Sequence, residues 1–311
     1  MIVRLSTAAE GFLYVKLTTC SPNTVAEYKN TLQQFIDQVG DMDLFELEAH
    51  HFQRFLYHLR VHRKLKAKTV LNAHTGLSAF CTWLEMEYNI AHIMRGRVER
   101  PKANKPEIIP LTKRDVRELL HACDRSAVWD STKRAETVTR RPTRWRDRAI
   151  VLFLLDTGVR AQELCDLVVG DVDMETGAVQ VRNGKGAKGR TVYIGVVTRE
   201  ALWRYLQKRK FRGGSDPLFA TRHHQHMDRH ALRKMIQAAG ERAELTERVT
   251  PHRMRHTFGI SYLRNGGDVY TLQRLLGHST MDMVRRYLAL AETDMAEAHR
   301  KASPADNWRL G

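Results

Sequence analysis

The sequence predicts a mostly helical protein with a small β-sheet, divided into two domains. Its 311 residues exceed the usual length of one domain, and 42% of them are hydrophobic, which suffices for a core in each half. Apolar residues recur at helical spacing in most segments, whereas strict alternation is clearest at 178–194. A basic, proline-containing stretch (RGRVERPKANKPEIIP) separates the halves and is typical of an extended linker. We therefore predict domains at 1–98 and 111–311, with the linker at 99–110.

The N-terminal domain is predicted to be small and entirely helical. A first helix covers 21–39, where Pro22 suits the first turn and Gly40 follows the last apolar residue of the series. A second helix covers roughly 45–60, and one or two more cover roughly 67–90.

The charge of the chain is strongly positive and unevenly distributed. The net charge of +16 and the isoelectric point of about 9.9 favour a polyanionic partner, most commonly nucleic acid. On charge alone, an ordinary soluble basic protein is the alternative. Residues 1–99 carry 11 Lys and Arg against 10 Asp and Glu, whereas 100–311 carry 40 against 25. The strongly basic surface therefore belongs to the C-terminal half.

One basic cluster nevertheless lies in the N-terminal domain, between its second and third helices. Five cations fall within nine residues that contain no acid: Arg60, Arg63, Lys64, Lys66 and Lys68. The segment is either a solvated loop or an edge that contacts DNA phosphates. Because the rest of this domain is nearly neutral, we favour the second interpretation and predict DNA binding here.

The second domain begins at Leu111 with a helix that Thr112 caps. Residues 124–147 are polar and basic, show no sign of a packed element, and are interpreted as a long loop leading to a helix near Arg146. The apolar run AIVLFLLDTGV favours a buried helix over a strand because of its length and its Gly-Val-Arg ending. Another helix is expected at about 198–210.

A β-hairpin is predicted at 178–194, where AVQVRN and RTVYIG alternate around the turn GKGAKG. This turn is not a P-loop, because it lacks the GxxxxGK[ST] order and the strand-to-helix context. It carries Lys185 and Lys188, which either reach into a groove or are two exposed surface lysines.

The sequence predicts no metal site, no disulfide bond and no membrane-spanning segment. The four cysteines are far apart and form no CxxC pair, which fits a reducing compartment. His226 and His230 have a spacing that can bind zinc on a helix, but no acidic base stands between them, and His252 and His256 likewise lack one. No run of apolar residues is long enough to span a membrane, and the N-terminus lacks a signal-peptide core, so a cytoplasmic protein is expected.

The stretch 250–287 brings together the residues most suggestive of chemistry: His252, Arg255, His278 and Tyr287. Two imidazoles, a guanidinium and a phenol make a poor metal site. They make a good phosphate site, because the arginine fork matches phosphate oxygens. The Tyr287 hydroxyl is a candidate nucleophile toward that phosphate.

A second arginine of interest, Arg160, directly follows the buried helix. A charge at such a position is costly unless it is paired or faces a ligand. The sequence leaves both choices open, since Glu163 and Asp166 are near enough to pair with it.

At these positions the chain resembles the tyrosine recombinases, the phage integrase and Xer type of site-specific DNA recombinase. TGVRAQEL resembles the first arginine box of that family, NGKGAKGR its β-hairpin lysine box, PHRMRHTF its HxxR box and LLGHSTMDMVRRY its final box. SPNTVAEYKNTLQQF resembles the start of its core-binding domain. The resemblance runs from about residue 15 to residue 290, with the four boxes in order.

The resemblance implies an N-terminal helical core-binding domain of the SAM-like type and a C-terminal α+β catalytic domain. It implies that Tyr287 attacks a DNA phosphate and forms a 3′-phosphotyrosyl bond, while Arg160 and Arg255 clamp the non-bridging oxygens. His252 and His278 would hydrogen-bond the phosphate, and His252 is also a candidate to take the tyrosine proton.

Further roles follow from the same boxes. Lys185 would protonate the leaving 5′-oxygen, and Lys188 and Arg190 are expected to contact DNA. Glu163 would orient the Arg160 side chain without itself contacting the phosphate.

The partner implied by the resemblance is a double-stranded DNA recombination site, with no metal, other cofactor or ATP required. Four protomers would assemble on DNA, the free protein being a monomer, and the tail at about 288–311 would dock on a neighbouring protomer or pack against its own chain. An accessory or directionality protein is a further expected partner. The predicted outcome is integration or excision of a mobile element, or resolution of DNA dimers.

Three other functions compete with this prediction. A type IB topoisomerase-like enzyme would share the chemistry without exchanging strands, and a non-catalytic DNA-binding protein would share the fold. A His-rich metalloenzyme is the third. The separate helical domain and the tail favour recombination, and the six intact catalytic positions argue against a protein that only binds DNA.

Overall fold

The structure is a computed structural model that describes most of the chain. The described residues are 2–104, 107–125, 129–131, 134–137, 139–182, 189–209, 211, 213–277, 280–291, 299 and 303–308, with the backbone alone at 129–131, 134–137 and 306. The chain forms two compact units, Met1–Glu107 and Ile108–Gly311. The division between them falls within the stretch predicted as a linker.

The N-terminal unit consists, over its described residues, of four α-helices. They are α1 (Leu5–Thr19), α2 (Pro22–Val39), α3 (Ala49–Tyr57) and α4 (Ala67–Glu87), with a 3₁₀ turn at Leu44–Glu46 and a π-helical extension of α3 at His58–His62. The helix predicted at 21–39 is confirmed, and the side chain of Ser21 accepts a hydrogen bond from the backbone N–H of Thr24 at its start. Of the region 67–90, where one or two helices are predicted, Ala67–Glu87 forms a single helix.

The sequence does not predict α1. Its buried face consists of Leu5, Ala8, Ala9 and Phe12, and the two alanines are too small to produce a clear apolar periodicity. Arg4 precedes the helix without a side-chain capping bond, so the usual start signal is also missing.

The C-terminal unit is also mainly helical, with two small β-hairpins among its described residues. The helices are α5 (Lys113–Asp124), α6 (Arg144–Thr157), α7 (Ala161–Asp166), α8 (Val196–Lys208), α9 (Arg229–Arg242), α10 (Pro251–Arg264), α11 (Val269–Leu276) and α12 (Asp282–Ala291). The strands are β1 (Trp129–Ser131), β2 (Arg134–Thr137), β3 (Ala178–Val181) and β4 (Arg190–Tyr193). None of the described helices is long and apolar enough to cross a membrane.

The prediction of a long loop without a packed element at 124–147 is wrong in part. Strands β1 and β2 pair antiparallel within it, with Trp129 opposite Thr137 and Ser131 opposite Arg134. Strands of three and four residues are too short for alternation to be recognised in a sequence. The helix expected near Arg146 does follow, as α6.

Helix α6 is the buried centre of this unit, as the apolar run predicts. Its side chains from Ala149 to Leu154 are almost completely inaccessible to solvent. The helix ends at Gly158, whose φ of +60° is left-handed, and a Cβ there would lie 2.3 Å from the Phe258 ring. Gly158 therefore lets the chain turn sharply against α10 and present Arg160 directly afterwards.

The hairpin predicted at 178–194 is confirmed as β3 and β4. Ala178 pairs with Tyr193 and Val181 with Arg190, and Val179 and Val192 point into the core. The turn between the strands, which carries Lys185 and Lys188, lies outside the described residues.

Candidate active site

The first functional side chain, Arg160, is held at the start of α7 by Glu163. The backbone N–H of Arg160 donates to Oε2 of Glu163 at 2.7 Å, and its Nη1 donates to Oε1 at 2.8 Å. The carboxylate therefore both caps the helix and fixes the guanidinium. The Arg160 side chain remains 47% exposed, whereas that of Glu163 is 10% exposed, so the arginine faces outward from a buried acid.

A third residue, Arg190 of β4, completes the coordination of Glu163. Its Nη1 and Nη2 donate to Oε1 and Oε2 at 2.9 and 2.8 Å, in a bidentate pair. Burial acts to raise the pKa of Glu163, but the hydrogen bonds from Arg190 and Arg160 outweigh it and hold that pKa at about 2. Glu163 is thus ionised at neutral pH.

Arg255 of α10 lies buried behind the surface of the site. Its Nη1 donates to the carbonyl of Gly158 and its Nη2 to that of Leu276, each at 2.6 Å. Burial and the charge of Arg160 lower its pKa to about 10, so it stays protonated at neutral pH. Because a guanidinium has five N–H donors, others are left for an anionic ligand.

Three consecutive carbonyls at the end of α11 each accept a hydrogen bond from a different arginine. Leu275 accepts from Arg190 at 2.7 Å, Leu276 from Arg255 at 2.6 Å, and Gly277 from Arg160 at 3.0 Å. Cations suit the carbonyl end of a helix, where the backbone dipoles place negative charge. This turn, which we call the three-carbonyl turn, immediately precedes His278 in the sequence.

Tyr287 lies on α12 with its ring buried against α10. Its side chain is 1% exposed, and a Cβ on Gly259 would come within 2.8 Å of the ring, so the glycine makes room for it. Nδ1 of His256 lies 2.8 Å from the Tyr287 hydroxyl. Burial raises the pKa of Tyr287, although the charges of Arg255 and Arg286 act in the opposite direction.

His252 lies one turn before His256 on the same face of α10. The centroids of the two imidazoles are 4.1 Å apart, and the His252 residue is exposed. Desolvation by its neighbours, followed by the charge of Arg255, lowers the pKa of His252, which favours a neutral imidazole.

The structure therefore brings together most of the described residues that the sequence singles out. Arg160, Glu163, Arg255, His252 and Tyr287 form one connected group, since Arg255 acts electrostatically on both Tyr287 and Arg160. The other predicted catalytic and hairpin positions, Lys185, His278 and Lys188, lie outside the described residues.

The predicted DNA-contacting residues fall into two groups. The cations of the first unit all have exposed side chains: Arg60, Arg63, Lys64, Lys66 and Lys68. Arg190, in contrast, is only 12% exposed, and its guanidinium donates inside the protein. Its predicted contact with DNA stays a prediction, but the structure gives this side chain other partners.

His256 is a functional candidate that the sequence prediction does not include. In the sequence, HRMRH is interpreted only as an incomplete metal motif. The i,i+4 spacing of His252 and His256 was nevertheless a usable signal, because it places both imidazoles on the face of α10 that also carries Arg255 nearby. Among the described residues, no group of three or more His, Cys, Asp or Glu side chains is arranged to hold a metal ion.

Two arginines, a pair of imidazoles and a phenol thus lie together on one helical framework, and this set of groups suits a phosphate and an oxygen nucleophile. The chain belongs to the phage integrase family. Residues 110–294 match the model of that family, and residues 10–89 match the phage integrase N-terminal SAM-like domain. The fold is accordingly a SAM-like helical domain followed by the integrase catalytic domain.

Individual relatives agree with this assignment. The tyrosine recombinase XerA of Thermococcus kodakarensis is 30% identical over 294 residues, which cover 93% of this chain and 92% of that protein. The tyrosine recombinase XerC of Oceanobacillus iheyensis is 28% identical, over 92% of each. The structure of the Tn1549 transposon integrase with transposon right end DNA has a TM-score of 0.73 and 18% identity, covering 97% of this chain and 99% of that one, and shows the shared fold. The protein is a site-specific tyrosine recombinase.

Proposed function

We propose that this protein exchanges strands between two DNA recombination sites, with Tyr287 as the nucleophile and a 3′-phosphotyrosyl intermediate. The observation that carries the proposal is the Tyr287 hydroxyl held 2.8 Å from His256, with the charge of Arg255 acting on it. A phenol beside a base and a guanidinium has what attack on a phosphodiester requires.

Residues of the site account for each proton transfer in the cleavage step. The Tyr287 oxygen bonds to phosphorus as its proton passes to Nδ1 of His256, in the tautomer that leaves this nitrogen unprotonated. The bond to the 5′-oxygen breaks, and Lys185 gives that oxygen a proton. Tyr287 is 1% exposed, so its ring shifts from its position against Gly259 as DNA binds, while its hydroxyl stays beside His256.

Charge stabilisation in this step comes from Arg160 and Arg255, with His252 and His278 as further hydrogen-bond donors to the phosphate. The two guanidiniums supply positive charge at the non-bridging oxygens as the transition state forms. We propose that the reaction needs neither a metal ion nor ATP. The phosphotyrosyl bond retains the energy of the broken phosphodiester, and a 5′-hydroxyl of another strand attacks it, releasing Tyr287 and rejoining DNA.

Assembly follows from the number of cleavages. Two duplexes have four strands to exchange, and each protomer offers one Tyr287, so we propose a homotetramer on DNA and a monomer in its absence. We propose that the tail at about 288–311 docks on a neighbouring protomer through Trp308, which is 71% exposed after the helical turn Pro304–Asn307. If the tail instead packs against its own chain, Trp308 should make no contact with another protomer.

We propose that both units bind the DNA. The five exposed cations of the first unit, and Lys188 of the second, contact phosphates. We place the protein in the cytoplasm on the chromosome or a mobile element, where an accessory or directionality protein regulates integration, excision or dimer resolution.

Strand exchange is tested with two duplexes of different length and label, each carrying the candidate site taken from DNA that flanks the gene. Recombinant duplexes with both labels are expected from the wild type and not from Tyr287→Phe. Tyr270→Phe is the matched control, because Tyr270 is 71% exposed on α11. Relaxation of supercoiled DNA without recombinants would instead identify a nicking and closing enzyme and overturn the proposal.

A further inference from the structure

We propose that Arg190 is a positioning residue of the catalytic centre, which holds the Arg160 guanidinium toward the DNA phosphate through Glu163 and the three-carbonyl turn. The inference rests on the proposed role of Arg160 as a phosphate ligand. It gives a function to a buried arginine that touches neither the nucleophile nor the outer face of the site.

Arg190 lies behind Arg160 rather than beside it. The exposed fractions of the side chains are 12% for Arg190, 10% for Glu163 and 47% for Arg160. Arg190 and Glu163 are therefore both largely buried, and Arg160 is half-exposed. Only the last of these is placed to meet a ligand from solution.

The acceptor sites of Glu163 explain how Arg190 controls Arg160. A carboxylate has about four lone-pair positions, and here two are taken by Arg190 and two by Arg160. With Arg190 in place, the Arg160 side chain gives Glu163 only its Nη1 and keeps Nη2 for the carbonyl of Gly277. Without Arg190, both carboxylate oxygens are open to a bidentate pair with Arg160, which turns its guanidinium inward.

Arg190 also joins three segments that each carry part of the site. It is the first residue of β4, it pairs with Glu163 on α7, and its Nε donates to the carbonyl of Leu275 at the end of α11. Gly277 leaves room for this contact: its φ is +62°, and a Cβ there would be 3.2 Å from Nη1 of Arg190. Because Arg190 pairs with Val181 across the hairpin, these contacts also fix the start of β4 against β3.

The geometry requires arginine at this position. A planar fork gives two parallel bonds to Glu163 and a third through Nε to a separate acceptor, whereas a lysine ammonium is a point charge without that geometry. We therefore expect Arg190→Lys to fail almost as fully as Arg190→Gln.

The test is single-turnover cleavage of a nicked DNA substrate that traps the covalent product, with full-length protein in excess. Arg190→Gln and Arg190→Lys are expected to cleave about 100-fold more slowly than the wild type, since small misplacements of a phosphate ligand cost about this much. Their affinity for DNA and its salt dependence are expected to be unchanged. Arg204→Gln, which breaks an exposed pair with Glu200 on α8, is the matched control and should cleave normally.

A double variant separates positioning from a general loss of structure. If Arg190 acts through Arg160, the double variant Arg160→Lys/Arg190→Gln should cleave at the same rate as the single variant Arg160→Lys, within about twofold. The inference would be overturned if the two substitutions multiplied their losses of cleavage rate. It would also be overturned by a wild-type cleavage rate in either Arg190 variant. Weaker binding with a shallower salt slope would overturn it too, by making Arg190 a DNA contact.

Two controls keep the result interpretable. Circular dichroism identifies a temperature at which each variant is folded, and if Arg190→Gln is unfolded, the same comparisons are made with Arg190→Lys, which keeps the charge beside Glu163. A wild-type rate in Arg160→Lys itself would contradict the proposed role of Arg160, a failure distinct from that of Arg190.

Discussion

Nδ1 of His256 lies 2.8 Å from the hydroxyl of Tyr287, which makes it the imidazole in contact with the proposed nucleophile. His252, which the resemblance makes a candidate to take the tyrosine proton, instead packs edge-on against His256 with 4.1 Å between the ring centroids. The structure thus places His256 beside the phenol, whereas His252 is exposed.

The first prediction concerns this contact. His256→Gln should lower the single-turnover rate of DNA cleavage by about 100-fold, because general-base assistance contributes at least this much. DNA affinity should change little, since the hydrogen bond that the substitution removes goes to the buried Tyr287. The control is His121→Gln, an exposed histidine on α5. A wild-type cleavage rate in His256→Gln would remove it from the proton pathway.

The second prediction concerns the space that Gly259 leaves for Tyr287. Gly259→Ala places a Cβ only 2.8 Å from the nearest atoms of the Tyr287 ring, which is closer than van der Waals contact. We expect a loss of about 1–3 kcal/mol in the free energy of unfolding, as for other overpacked sites, measured by urea denaturation. Gly213→Ala is the control, because a Cβ on Gly213 meets nothing within 4 Å. Equal stability of the two variants would show that the ring is not seated against Gly259.

The third prediction follows from the lowered pKa of Glu163. Its value of about 2 lies below the ordinary 4.5, so ionised Glu163 stabilises the fold above about pH 4.5, and this contribution is lost as the pH falls toward 2. The full contribution is about 3 kcal/mol. The free energy of unfolding of the wild type should therefore fall more steeply than that of Glu163→Gln between pH 5 and pH 3.

The comparison for this prediction is Glu200→Gln, which removes an exposed acid from α8. Its pH dependence should follow that of the wild type, because exposed pairs contribute little. Parallel curves for Glu163→Gln and the wild type would mean that Glu163 is not held by its two arginines in solution.

The fourth prediction concerns the basic cluster of the first unit. Replacing Lys66 and Lys68 by glutamine should weaken binding to all DNA sequences alike. It should also make the slope of log K against log salt shallower by about 1 for each phosphate that the protein no longer neutralises. Fluorescence anisotropy between about 50 and 200 mM salt measures this slope. An unchanged slope would mean that these lysines are only solvated.

The sequence predicts α6 and the β3–β4 hairpin because their signals are local. The buried run of α6 and the alternation of β3 and β4 are each visible within about a dozen residues. The residues expected at the phosphate follow from motifs of the same length. Local pattern is thus enough for α2, α6, the hairpin and the order of the boxes, but it does not predict α1, α7 or α9 to α12.

What the sequence missed depends on contacts between distant residues. The resemblance of NGKGAKGR to the lysine box predicts that Arg190 contacts DNA, but its hydrogen-bond partner Glu163 lies 27 residues earlier and its partner Leu275 lies 85 residues later. His256 pairs with Tyr287 across 31 residues. Only the packing of α7, α10, α11 and α12 brings such groups together.

The central claim is that Tyr287 forms the covalent bond to DNA, and mapping the adduct tests it most directly. The protein is incubated with a nicked substrate in the presence of EDTA, the denatured adduct is digested, and the modified peptide is identified by mass spectrometry. We predict a nucleotide joined through a 3′-phosphate to Tyr287, and no adduct with Tyr287→Phe. An adduct on another residue, or cleavage without any adduct, would contradict the account.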